Sequence, residues 1–238
     1  MTEAARLDDV ARAPLAGRRA MVTGGSRGIG AGIVRRLAAD GAAVAFTYRE
    51  AKGPANSLEQ EITGSGGQAF AFQADSEDPE AVRAAVSETV DQFGGLDVLV
   101  NNAGTSHMAP IEDFPMAEYD RILAVNVRAI FAAIQAAVPH LGEGGRIISI
   151  GSVLADRAPI GNISVYALTK AAVAGLSRNL ARELGPRGIT VNTVQPGPVE
   201  TDMNPASGDF ADAVAFLARP EARFVTGTAW NIDGGYAL

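Results

Sequence analysis

The sequence has no cysteine, only two histidines and a single tryptophan. Without cysteine there can be no disulfide framework, no thiolate metal site and no cysteine nucleophile, and the redox compartment stays open. His107 and His140 stand far apart with no ligand pattern around either, so a zinc ion would have little to hold it, and no metal site is expected. Positive charge is the next shortage. The 27 acidic residues against 20 basic ones leave a net charge of −7, which repels phosphate backbones and anionic lipid surfaces, so neither nucleic acid nor membrane is an expected partner. Long apolar runs are missing from the amino terminus as well. Its first 16 residues are charged and interrupted, read as neither secretory signal nor transmembrane helix, and leave the cytoplasm as the expected location.

What the chain does have is enough apolar material for a large core, with 47% hydrophobic residues in 238. Short runs rich in Val, Ile and Ala alternate with stretches of helical period, and turn residues mark each change. The runs Ala20–Thr23, Ala43–Thr47, Ala69–Gln73, Val98–Asn101, Ile147–Ile150, Thr190–Val194 and Ala229–Ile232 read as strands. Most are apolar without alternation, as strands covered on both faces should be, and such strands belong in a parallel sheet. Gly28–Asp40 reads as a helix stopped by Gly41, and Pro79–Phe93 as a helix behind Asp78 with proline at its first position. Right-handed crossovers then give an α/β fold: one doubly wound domain with about seven parallel strands and helices on both faces. The expected organisation is an N-terminal extension at 1–17 and a single dinucleotide-binding and catalytic domain at 18–238.

Three motifs carry chemistry. Thr23-Gly24-Gly25-Ser26-Arg27-Gly28-Ile29-Gly30 follows the first strand and opens the first helix. Glycines allow close approach of a pyrophosphate, and the helix start offers unpaired N–H groups and a positive dipole end. A ligand is expected outside the carboxyl ends of the strands where the strand order reverses. Asn101-Asn102-Ala103-Gly104 ends the fourth strand. Tyr166 and Lys170, four apart, share a helix face. A phenol titrates near pH 10 on its own, but a neighbouring ammonium and a nicotinamide cation both favour the phenolate and should bring that value down. Ser152 ends the fifth strand and can place its hydroxyl at the same edge. Ser149 reads as a core residue.

Together these elements resemble the short-chain dehydrogenase/reductase family, whose fold is a Rossmann-type doubly wound sheet, and most closely its 3-oxoacyl-carrier-protein reductases and related ketone reductases. The resemblance implies an NADP-dependent oxidoreductase acting on CH–OH groups. Tyr166 would be proton donor, Ser152 would polarise the carbonyl, Lys170 would bind the nicotinamide ribose and lower the tyrosine pKa, and Asn126 in Val125-Asn126-Val127 would hold a water linking Lys170 to solvent. The cofactor would be lined by Gly24, Ser26, Arg27, Gly28, Ile29, Gly30, Asn101, Ala103 and Gly104. Asp75 would bond the adenine. Pro196 and Gly197 would lie along the cofactor, and Val199 and Thr201 would meet its carboxamide. Read from the residues alone, Asn126 can instead be a satisfied polar residue in a helix kink, and Asp75 a turn or cap residue before Asp78.

In this fold an acid at the end of the second strand bonds the ribose of NAD, whereas a 2′-phosphate needs arginine. Here Ala45-Phe46-Thr47-Tyr48-Arg49 holds no acid until Glu50, and Arg27 sits in the glycine turn, so NADP (NADPH) is the expected cofactor. Arg49 as a solvated surface charge is the alternative. The resemblance breaks after Thr201-Asp202-Met203, where the expected substrate lid, near 202–213, is short. The loop Ala155–Ile163 is slightly long and, by the resemblance, borders the substrate. The expected activity is NADPH-dependent reduction of a ketone or 3-oxoacyl-type carbonyl. An NAD(P)-dependent alcohol dehydrogenase and a cofactor-binding protein with little turnover are the alternatives. A small-molecule carbonyl is the expected substrate, and a homodimer or homotetramer the expected assembly.

Overall fold

The protein is described by a computed structural model over residues 13–197 and 208–236. Seven parallel strands form one sheet: β1 (Arg19–Val22), β2 (Ala43–Tyr48), β3 (Gln68–Gln73), β4 (Val98–Asn101), β5 (Arg146–Ile150), β6 (Thr190–Pro196) and β7 (Ala229–Ile232), in the order β3-β2-β1-β4-β5-β6-β7. The order reverses between β1 and β4, which opens a crevice at their carboxyl ends.

Alternation along each strand explains the unbroken apolar runs. Val22, Val98, Val100, Ile148 and Ile150 face one core with helices α1 (Gly28–Ala39), α2 (Lys52–Gly64) and α7 (Gly208–Ala218). Their neighbours Met21, Leu99 and Ile147 face a second core with α3 (Pro79–Phe93), α5 (Ala129–Ala137) and α6 (Ser164–Leu184). A side chain on either face is removed from water, so each buried Val or Ile contributes roughly 1.5–3 kcal/mol. The helix signals hold at α3: Asp78 caps it by accepting from the Glu80 N–H at 2.9 Å, Pro79 opens it, and Gly94 closes it at φ +73°. The seven-stranded, doubly wound expectation is what the chain adopts. The first and fifth strands begin one residue earlier than their apolar runs, at Arg19 and Arg146.

Leu15, assigned by sequence to the extension, is fully buried with the core beside α1, and its N–H donates to Asp40 O at 2.8 Å. Of the expected lid, residues 202–207 lie outside the described residues, and 208–213 open α7. The stretch Met116–His140, comprising α4 (Met116–Leu123), a π-helical turn (Ala124–Arg128), α5 and a short 3-10 turn, is apolar enough to cross a membrane by length and composition, but more than half of its most apolar window is buried inside the fold. Core helices share that property.

Candidate active site

The glycine-rich turn is stitched down from two sides. Thr23 Oγ1 accepts from the N–H groups of Asn102 and Ala103, at 3.0 and 3.1 Å, and Asn102 Nδ2 donates to the carbonyls of Thr23 and Gly24, both at 2.9 Å. From the β2 side, Gly24 N–H donates to Thr47 Oγ1 at 2.9 Å. Two glycines are required by this geometry. Gly24 has φ +64°, which L side chains rarely adopt, and a Cβ on Gly30 would fall 2.2 Å from Gly24 O. No side chain caps the start of α1, where Arg27 is extended, so its first N–H groups point outward beneath the turn. Ser26, Gly28 and Ile29 complete this cradle in sequence.

Arg27 is exposed. Arg49, just past β2, is half exposed and lies between two carboxylates, 3.1 Å from Glu50 and 3.7 Å from Glu77. Asp75 is a turn residue here: its Oδ1 accepts from Glu77 N–H at 2.9 Å and its carbonyl from Asp78 N–H.

A strand away, Asn101 is buried, donating from Nδ2 to the equally buried Ser149 Oγ at 3.3 Å and leaving Oδ1 without a partner. Ser149 is thereby the core residue its position suggested. Ser152 caps a 3-10 turn (Val153–Ala155), accepting from Leu154 N–H at 3.2 Å, and also hydrogen-bonds the Tyr166 phenol. Lys170 is buried within α6. Its ammonium donates to Ile150 O at 2.7 Å and lies 5.4 Å from the Tyr166 ring centroid. The structure therefore brings Ser152, Tyr166 and Lys170 together at the carboxyl end of β5.

Asn126 is the satisfied polar residue of a helix irregularity that its local reading gave. It lies in the π-helical turn between α4 and α5, and its amide is fully engaged: Oδ1 accepts from Thr105 N–H at 2.8 Å, while Nδ2 donates to Thr105 O at 2.9 Å and Thr169 Oγ1 at 3.1 Å. Thr169 in turn donates to Tyr166 O at 2.7 Å. Asn126 Oδ1 and Lys170 Nζ face a common space over Gly104, where an added Cβ would sit 3.6 Å from each. Thr105 is gripped from outside by Arg121 at 2.8 Å, itself held by Glu118. Thr23 and Asn102 stood in the motifs without a role of their own, and Thr47, Thr105, Thr169 and Arg121 were given none from sequence. Thr105 beside the Asn-Asn-Ala-Gly motif and Thr169 inside Tyr-x-x-x-Lys were the available signals.

The electrostatics correct one expectation. In the protein without its cofactor, burial pushes the Tyr166 phenol up, opposed by its bond to Ser152, where a lowering by ammonium and nicotinamide cation was expected. Burial pushes Lys170 down to about 8. Pro196 ends β6 and Gly197 follows it, its N–H bonded to Ile232 O. Val199 and Thr201 lie outside the described residues. Among the described residues no group of three or more metal-ligating side chains is gathered.

An uncapped helix start under a clamped glycine turn, at the reversal point of a parallel sheet with a Ser–Tyr–Lys set beside it, defines the class of dinucleotide-binding oxidoreductase folds. The short chain dehydrogenase family matches residues 18–211, and the chain belongs to that family. A short chain dehydrogenase from Burkholderia cenocepacia, solved in complex with NADP, is 51% identical with a TM-score of 0.91, covering 93% of this chain and 98% of its own. The cyclic-di-GMP-binding biofilm dispersal mediator protein of Escherichia coli is 44% identical over 239 residues, 92% of this chain and 97% of that one. The 3-oxoacyl-acyl-carrier-protein reductase of Staphylococcus aureus is 38% identical over 240 residues, again covering 92% and 97%. The resemblance read from the motifs, to the family and to its 3-oxoacyl reductases, is supported by these relatives.

Proposed function

We propose that the chain reduces a ketone or 3-oxoacyl-type carbonyl to an alcohol with NADPH, with Tyr166 as proton donor. The observation that carries this reading is the buried phenol. Its ring centroid stands 5.4 Å from the buried Lys170 ammonium and its hydroxyl in contact with Ser152, at the carboxyl end of β5, where a carbonyl oxygen set between the two hydroxyls could take its proton, the reductive direction. Ser152, in contact with the phenol, polarises that oxygen, and Lys170, mostly charged below about pH 8, holds the nicotinamide ribose. The residues fit the cofactor. The clamped cradle from Gly24 to Gly30 and the uncapped start of α1 suit a pyrophosphate, and the orphaned acceptor of buried Asn101 suits a donor-rich ligand beside Ala103 and Gly104. When bound, NADPH supplies the hydride that the carbonyl carbon receives.

Preference for NADPH over NADH rests on Arg27 and Arg49 meeting the 2′-phosphate, a step for which Arg49 must exchange Glu50 and Glu77 for the new anion. The second carboxyl oxygen of Asp75 remains for the adenine. An acidic carrier protein would meet a chain of net charge −7, which favours a small ketone as substrate. The exposed apolar side chains Phe131 and Leu168 on α5 and α6 support a homodimer or homotetramer, acting in the cytoplasm.

The test is loss of NADPH absorbance with a panel of activated ketones, repeated with NADH and with Arg49→Ala and Arg27→Ala. A charge-assisted hydrogen bond contributes roughly 1.5–3 kcal/mol, so each loss should weaken NADPH by about 10- to 100-fold and leave NADH unchanged. Equal loss on both cofactors would assign the arginines to the shared part of the cofactor or to the fold. One finding favours a second reading, a nucleotide-binding protein with little turnover: the Escherichia coli relative carries cyclic-di-GMP binding in its name. Calorimetric titration with cyclic-di-GMP, combined with absence of turnover across the ketone panel, would establish it instead.

A further inference from the structure

The loop that follows Ser152 is tied at both ends. At its start, Asp156 Oδ2 accepts from Gln195 Nε2 at 2.7 Å, and the same nitrogen donates to Asn231 Oδ1 on β7 at 2.8 Å. A carboxylate only accepts, so the Gln195 amide must turn its nitrogen toward Asp156, and its orientation is fixed. The cost of that orientation is visible on the other side of the amide. Gln195 is fully buried, its Oε1 has no partner, and a Cβ on Gly151 would stand 3.5 Å from it. A buried acceptor left in this way is tolerated only where the rest of the arrangement is held firmly.

At the far end, Asn162 takes the left-handed conformation at φ +60°, and its carbonyl accepts from Ala109 N–H at 3.0 Å. Ala109 belongs to the segment that leaves Gly104 and Thr105, so the tie joins two walls, the segment after β4 and the loop after Ser152. Each wall offers one large exposed apolar side chain near the tie, Ile160 and Met108. Asp156 is also coupled to Ser152 through one turn of 3-10 helix: Ser152 caps the turn at Leu154 N–H, and Asp156 N–H closes it on Val153 O at 3.1 Å.

We infer that Asp156 is a positioning residue that, held by buried Gln195, whose amide nitrogen Asn231 also engages, fixes the wall Arg157–Ile163 and so sets which carbonyl substituents are admitted beside Ser152. The inference rests on the ketone-reductase reading for its substrate and on the loop geometry for its mechanism. Asp156 touches no reacting atom. It acts by removing freedom from a wall that carries the exposed apolar side chain Ile160, suited to an aliphatic or aryl group attached to the carbonyl.

The experiment compares Asp156→Ala, Asp156→Asn and wild type on a small aliphatic ketone and an aryl ketone, with NADPH affinity and amide hydrogen exchange measured alongside. Loss of a positioning contact of this kind changes rates by an order of magnitude or more, so Asp156→Ala should shift the aryl-to-aliphatic ratio of kcat/KM by about tenfold or more. Exchange should quicken in peptides covering 153–163 and not in β1 or α1, with NADPH affinity within about twofold of wild type. Asp156→Asn keeps an acceptor oxygen and should restore both the ratio and the slow exchange. Unchanged exchange and ratio in Asp156→Ala, or an Asp156→Asn variant as impaired as the alanine one, would overturn the inference. Should Asp156→Ala fail to fold, Gln195→Met removes the donor to Asp156 at similar volume and must move exchange in 153–163 in the same direction; no change there overturns it. If wild type turns over no ketone, the functional reading fails, while the exchange comparison still decides whether Asp156 holds the loop.

Discussion

Four buried side-chain polar atoms lack a partner among the described residues, and the two ends of the sheet divide them by kind. At the amino ends they are donors, Nε of Arg18 and of Arg146; at the carboxyl ends they are acceptors, Oδ1 of Asn101 and Oε1 of Gln195. The donors belong to guanidinium groups whose other nitrogens are employed. Arg18 donates to Gly144 O at 2.7 Å, and Arg146 to Gly144 O, Gly145 O and Arg219 O. Around them Asp97 takes three hydrogen bonds from Arg19, at 2.9, 2.8 and 3.1 Å. At that end Arg18 and Arg19 are paired with Asp97, and buried Arg146 is met by carbonyls that tie strand to loop. At the other end a lysine is buried beside a tyrosine with one carbonyl for company, an arrangement that costs stability and that the proposed chemistry would account for.

The comparison can be broken first where it is sharpest. Tyr166→Phe keeps the ring and removes the proton, so turnover should fall by about 10²–10⁴-fold with NADPH affinity within a few-fold and no loss of Tm. A residual rate within about tenfold of wild type would mean another group donates the proton. At the opposite end, Asp97→Asn should do the reverse. Losing charge-assisted bonds to Arg19 should destabilise the fold by about 1.5–3 kcal/mol in urea titrations and leave kcat/KM unchanged. Its pH dependence has a definite sign. Asp97 is held below its ordinary 3.8, by the Arg19 bonds against an opposing burial effect, so its contribution is present above that value and disappears as pH falls through the lowered one. Mutant and wild type should therefore converge in acid.

Lys170→Met sharpens the contrast by separating stability from activity. Burial lowers the lysine from 10.5 to about 8, so the folded state pays its full penalty below pH 8 and recovers it as pH rises from there to 10.5. The variant should lose cofactor affinity and rate yet melt a few degrees higher at pH 7, at about 2–4 °C per kcal/mol recovered, with the freed Ile150 carbonyl offsetting part of the gain. Differential melting across pH 7–10 should show the advantage shrinking. A melting temperature lower than wild type at every pH would make the lysine a structural element like Asp97. The smallest effect is expected at the exposed Arg35–Glu61 pair, with both side chains about half exposed. Glu61→Gln should change stability by no more than about 0.5 kcal/mol, because water screens such pairs.

Much of this was legible in the chain itself, for local reasons. Val98–Asn101 and Ala229–Ile232 are strands to the residue, and Asp78-Pro79 marks a helix start that the structure keeps. The strand starts at Arg19 and Arg146 were not, since a guanidinium in a buried strand is acceptable only through carbonyls and carboxylates that are distant in sequence. Ser152, Tyr166, Lys170 and Asn126 could be named from their motifs, but the direction of the Tyr166 shift could not. It depends on how completely the fold encloses the phenol, which no spacing between two residues encodes. Asp156 and Gln195, 39 positions apart, meet only because β6 lies beside β5 in the sheet.

The clamp that Asn102 places on Thr23 and Gly24 has a consequence for synthesis. The cradle's own residues emerge early, in the first thirty of the chain, yet the side chain that holds the turn arrives only after β4. A nascent chain that has exposed β1, β2 and β3 therefore carries a phosphate loop without its fastener, and it should not retain the dinucleotide. Since parallel strands pair only after their crossovers have formed, closure of the loop waits on a long-range docking event. Cofactor capture thus reports that both halves of the sheet have met. A destabilised variant would announce itself first as a protein that releases its nucleotide while most of its helices persist.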